Sequence, residues 1–129
     1  MTRNRASARA AGAKFERQIA DYLATHIDDR IDRRVKRGTK DRGDITGLRH
    51  MGGRIVVEIK NETRPNLAGW ARETDLERGN DDALCGLVVA KRHGNNKPAE
   101  QWVHMTVGEF VALVNGNRDH MEGADSGTD

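Results

Sequence analysis

The chain has 129 residues, with 22 Lys or Arg against 20 Asp or Glu and a formal net charge of +2. That length holds one domain with a single modest core, and no apolar run approaches the roughly 20 residues of a spanning helix or follows the start as a signal core, so a cytoplasmic protein is expected. One cysteine excludes an internal disulfide, and the scattered histidines show no Cys/His spacing that would hold zinc.

Residues 1–12 form a basic leader, expected to be flexible; Arg3, Arg5 and Arg9 lie in it, followed by Lys14, with no acid before Glu16. The folded domain is expected over 13–115. Ala13 to His26 carries Phe15, Ile19, Tyr22 and Leu23 at helical spacing, with Glu16 and Arg17 beside the stripe. Glu16 either points toward a site on the sheet or is a first-turn acid favoured by the helix dipole.

Ile31 to Arg37 alternates as a first strand, and it opens a run of cations, Arg33, Arg34, Lys36, Arg37, Lys40 and Arg42, that suits a polyanion such as nucleic acid. Gly43 to Leu48 reads as a second strand that starts on Asp44 and turns at Gly52-Gly53 into a third, Arg54 to Asn61. Asn66 caps a helix through Arg78 whose apolar contacts are Leu67, Trp70 and Leu76; Glu73 and Glu77 either join a site or face solvent.

Ala83 to Lys91 reads as a fourth strand whose run Ala83 to Ala90 is apolar, as a strand buried on both faces and parallel to its neighbour would be, and Cys85 within it is a core residue. Lys91 and Arg92 follow at its exposed end, where they either touch nucleic acid or are simply solvated. Gln101 to Met105 is a short fifth strand. Thr106 caps a last helix, Val107 to Val114, with Glu109 in capping-box position. Residues 116–129, with Asp119, Glu122, Asp125 and Asp129, are expected to be an acidic disordered tail. Trp70 and Trp102 either stack on unpaired bases or pack in the core or a dimer face. The fold class is therefore α/β, a mixed β-sheet of about five strands flanked by helices, in the order α-β-β-β-α-β-β-α.

The chemistry gathers on the third strand. Strand pleating puts Glu58 and Lys60 on one face with Val56, while Ile55, Val57 and Ile59 take the other. A Glu and a Lys on so apolar a strand either face water or, if buried, need partners. The hairpin brings Asp44 toward Glu58, and two carboxylates about 4 Å apart repel by roughly 4 kcal/mol at an effective dielectric of 20. Such a pair shares a proton or holds a divalent cation, and oxygen ligands suit Mg2+ or Mn2+.

Glu16, the Gly43-Asp44-Ile45 strand and Val57-Glu58-Ile59-Lys60 in this order resemble the PD-(D/E)XK nuclease superfamily, with its restriction-endonuclease-like fold. Within it the chain is similar to archaeal-type and phage Holliday-junction resolvases, over Ala11 to Arg92. Gly12 to Arg17 looks like their opening helix and Arg33-Arg34-Val35 like their basic first strand; the proline that often precedes the acid is Gly43 here.

The resemblance implies an Mg2+-dependent endodeoxyribonuclease with Glu16, Asp44, Glu58 and Lys60 as catalytic residues. Asp44, Glu58, the Ile59 carbonyl and Glu16 would be the metal ligands, and Arg17 and either Arg34 or Arg37 phosphate contacts. It further implies a homodimer that nicks four-way DNA junctions, in a bacterial host's cytoplasm if phage-encoded, as the Arg-, Ala- and Gly-rich composition suggests. The rivals are a restriction-like or repair endonuclease on duplex DNA and a non-catalytic DNA-binding protein.

Overall fold

A computed structural model describes residues 4–36 and 38–121. Helix α1 (Arg5–His26) begins eight residues before Ala13, because Asn4 caps it by accepting from the Ser7 N–H at 2.8 Å; residues 5–12, read as a flexible leader, are its first turns. Short strands β1 (Asp32–Arg33), β2 (Ile45–Thr46) and β3 (Arg49–His50) lead to β4 (Gly53–Lys60). The β3–β4 turn lies at Met51-Gly52 and not at Gly52-Gly53; both residues have positive φ, 51° and 82°, as a tight hairpin turn requires. Then come α2 (Leu67–Asn80), β5 (Cys85–Ala90), β6 (Trp102–His104) and α3 (Val107–Asn115). The two-residue β3 adds one strand to the expected order.

The protein is α/β with a mixed sheet, β1-β2-β4-β5-β6, and β3 pairs separately with β4. β1, β2 and β4 run antiparallel, β4 and β5 are parallel across the α2 crossover, and β6 returns antiparallel to β5. Ile55, Val57 and Ile59 pack with Phe15, Ile19 and Ala20 of α1 and Ala112 of α3 in the main core. Each of these large apolar side chains contributes about 1.5–3 kcal/mol by leaving water. Trp70 of α2 packs on Val88 and Ala90 across the opposite face, so α1 and α3 cover one side and α2 the other. Cys85 is fully buried in the core, and burial pushes its thiol up to about 11.

The α2 contacts differ from expectation. Leu67 and Leu76 are exposed, and the face turned to the sheet is Trp70, Thr74 and Glu77. Gly86 lets that face come close, since a Cβ there would stand 2.5 Å from Thr74 Cγ2.

The domain also continues past residue 115. Arg118 donates to the Leu84 carbonyl at 2.8 Å and makes a bidentate pair with Glu109 at 2.9 and 2.8 Å. Glu109 also accepts from the Gly86 N–H at 2.9 Å, so its carboxylate ties α3 to β5 and to the following segment, while Thr106 caps the helix as expected. Residues 122–129 of the expected tail lie outside the described residues. Among the described residues, no helix is long and apolar enough to cross a membrane.

A candidate metal centre between the sheet and the crossover helix

Glu58 lies on the β4 face that α2 covers, and it is only 7% exposed. Asp44, 6% exposed, reaches it from the start of β2: its N–H donates to the Val57 carbonyl at 2.9 Å, and its Oδ2 accepts from the Ile59 N–H at 2.8 Å. Gly43 makes this approach possible. Its φ of +93° lies outside proline's range, and a Cβ there would stand 2.9 Å from Val56 Cγ1 and 3.1 Å from the Val57 oxygen. Neither proline nor any residue with a Cβ fits position 43 without strain.

Two further acids complete the cluster. Asp41, Glu58 and Glu77 each offer a carboxylate oxygen, and these oxygens all lie within 4.8 Å of one another. Asp41 sits in the basic loop; its Oδ1 accepts from the Gly43 N–H at 2.9 Å, and its carbonyl accepts from Asn80 at the end of α2. Glu77 is 1% exposed. Glu58 Oε1 and both Glu77 oxygens are buried, and no N–H or O–H group of the described residues donates to them; the one hydrogen bond open to them is a proton shared between the two carboxyls.

This arrangement moves the protonation equilibria. Burial, then the charges of Asp44 and Glu77, raise Glu58 well above the usual carboxylate range; burial, then Asp41, Glu73 and Asp44, raise Glu77, against a hydrogen bond with Glu58 that lowers it. Lys60 stands 2.7 Å from Glu73, 3.7 Å from Glu58 Oε2 and 3.9 Å from Glu62. Burial opposes its charge, but these acids outweigh it and its pKa is raised, so it is an ammonium at neutral pH and acts as a donor, not a base.

Glu16 approaches from α1. Its carboxylate is 3.2 Å from Arg33, and burial followed by the field of Asp44 raises its pKa, so it flanks the cluster as a partner of Arg33. Lys36 lies 3.8 Å from Asp44 Oδ1, and with Lys40 and Arg42 it lines a cleft of about 310 Å³ that also includes Asp41.

The other expected cations are engaged elsewhere. Arg17 bonds Asp21 and Asp32 on the outer side of α1. Arg34 pairs at 3.4 Å with the buried Asp81, which Arg54 also holds. Lys91 bonds the 95–96 loop beneath Phe15, and Arg92 stacks on Trp102 at 4.9 Å. Arg37 lies outside the described residues. Of the two tryptophans, Trp70 is core and Trp102 is half-exposed on the edge strand.

Sequence reasoning thus reached Asp44, Glu58, Lys60 and, at the margin, Glu16. It missed Asp41 and left Glu77 between site and solvent. The signal for Glu77 was its place seven residues after Trp70, on the same helical face.

No family model matches the chain, and no curated protein or solved structure matches it.

Proposed function

We propose that the protein is a metal-dependent endodeoxyribonuclease of the PD-(D/E)XK type, with the restriction-endonuclease-like fold, that nicks branched DNA as a Holliday-junction resolvase. The observation that carries this reading is a set of buried carboxylate oxygens that no donor of the described residues meets, beside a protonated lysine and at the rim of a cationic cleft. Such oxygens are costly in a dry interior unless a cation meets them, and an all-oxygen donor set fits Mg2+ or Mn2+.

In this reading Asp44, Glu58 and the Ile59 carbonyl hold the ion, with Glu16 at its margin. Bound there, the ion supplies a more acidic water and neutralises charge on the scissile phosphate. The chain's own groups do the rest. The Ile59 N–H fixes the Asp44 carboxylate, and Lys60, held by Glu73 and Glu58, donates to an oxygen of the phosphate as negative charge grows.

Lys36, Lys40 and Arg42 bind the backbone phosphates along the cleft, which positions DNA without reading its bases. A homodimer would set two such centres on opposed strands of a four-way junction. Val107, Phe110 and Val114, exposed on α3 next to the edge strand β6, offer the surface for it.

The test incubates a labelled immobile four-way junction and a matched linear duplex with the protein, in Mg2+ or chelator, alongside Glu58→Ala. Symmetric Mg2+-dependent nicks confined to the junction and absent in the variant are expected. Cutting of both substrates would replace the resolvase by a general duplex nuclease, and binding without cutting in Mg2+ or Mn2+ would leave a non-catalytic DNA-binding protein.

A further inference from the structure

Glu58 faces two groups of oxygens at once. On the β2 side stands Asp44, whose carboxylate is largely committed, one oxygen to the Ile59 N–H at 2.8 Å and the other 3.8 Å from Lys36. On the α2 side stand Asp41 and Glu77, each within 4.8 Å of a Glu58 oxygen. Glu77 is 1% exposed, yet no donor among the described residues meets either of its oxygens.

Among the described residues, no cation is paired with Glu77. Lys60 bonds Glu73, Lys36 lies beside Asp44, and Arg34 and Arg54 are taken up by Asp81. One proton shared between Glu58 and Glu77 leaves at least one buried oxygen unmet. A divalent cation meets oxygens of all three acids and neutralises them together.

The positions are also set in advance of any ligand. Asn80 donates to the Asp41 carbonyl at 2.8 Å and pins the basic loop to the end of α2, while Gly86 admits α2 close against β5.

We propose that Asp41, Glu58 and Glu77 form a second divalent-cation site, so that Glu58 bridges two ions, one shared with Asp44 and one with Glu77. This rests on the reading of Asp44 and Glu58 as a metal centre. A hard ion, Mg2+ or Mn2+, would suit the second site as it would the first, because the donors Asp41, Glu58 and Glu77 are all carboxylate oxygens. Glu77 and Asp41 are then ligands contributed by the crossover helix and the basic loop.

The experiment titrates the full chain with Mn2+ in the absence of DNA and follows the free ion by electron paramagnetic resonance, with circular dichroism as the check on folding. Wild type is expected to bind two ions. Glu77→Gln is expected to weaken one of them at least tenfold and keep the other, and Asp41→Asn, altered at an exposed position, to act in the same direction. Asp44→Asn is expected to weaken the other ion.

Wild-type stoichiometry and affinity in both Glu77→Gln and Asp41→Asn would overturn the second site. If Asp44→Asn alone then lost binding, the metal-centre reading would stand without it. Absence of Mn2+ binding by wild type at millimolar ion would overturn both.

Discussion

Replacing Glu77 by Gln should make the metal-free protein more stable at alkaline pH, and the size of the gain follows from the cluster's geometry. At the outer limit of 4.8 Å between the Glu58 and Glu77 oxygens, two charges repel by about 3.5 kcal/mol at an effective dielectric of 20. Both carboxyls are raised in the folded state, so between the unfolded value near 4.5 and the folded values the native protein binds more protons than the unfolded chain. Stability from the pair is therefore fully present below about pH 4.5 and is lost as pH rises through the folded values. One retained proton corresponds to about 1.4 kcal/mol per pH unit, or about 4 kcal/mol from pH 5 to 8, in line with the Coulomb figure.

Gln removes one charge and supplies an amide that can donate to the unpartnered Glu58 Oε1. The expected gain is about 2–3 kcal/mol at pH 8 and under about 1 kcal/mol at pH 5. Urea denaturation in chelator, followed by fluorescence of the buried Trp70, measures both. A variant less stable than wild type at pH 8, or one whose stability falls just as steeply with pH, would refute the mutual burial of these carboxylates.

Two further outcomes concern the frame around the site. Arg118→Ala leaves the Glu109 carboxylate, 12% exposed, without its bidentate partner, and should cost about 3 kcal/mol in urea denaturation; a loss under about 1 kcal/mol would mean that 116–121 does not close the domain. Gly43→Ala adds a Cβ at φ +93° against Val56 and the Val57 carbonyl and should cost about 2–4 kcal/mol, with weaker Mn2+ binding because Asp44 shifts; unchanged melting and binding would contradict the close β2–β4 approach.

Where local pattern and tertiary packing ask for the same thing, the elements were legible in the chain. The alternation of Arg54 to Lys60 announces β4, the unbroken apolar run at 83–90 announces a parallel β5, and Asn66 and Thr106 cap the helices that follow them. The sheet-facing side of α2 was not legible, because two of its three buried positions, Thr74 and Glu77, are polar while Leu67 and Leu76 face outward. Reading it required anchoring the helical period on Trp70 instead of on the leucines. Asp41 was hidden for another reason: its position depends on the backbone of Gly43 and on Asn80, residues joined to it only in the folded state. The start of α1 was missed because a basic segment without large apolar residues gives no amphipathic signal, although Asn4 supplies a cap.

Asp81 offers an internal comparison for the cluster. It is 7% exposed, as Glu58 is, and the protein has met its charge with its own cations: Arg34 and Arg54 each stand 3.4 Å from its carboxylate. The same fold could have treated Glu77 that way, or replaced it with a leucine of similar volume, which in many proteins is neutral or stabilising by about 1–4 kcal/mol. It does neither, although Lys36 and Lys60 lie close enough to pair with Asp44 and Glu58. Those two lysines stay beside Asp44 and Glu58, and among the described residues the more deeply buried Glu77 has no cation next to it. Structural ion pairing explains Asp81 in full and explains nothing about Glu77. The proposed external cation would account both for the buried oxygens that no donor meets and for the loop and helix that hold Asp41 and Glu77 in place.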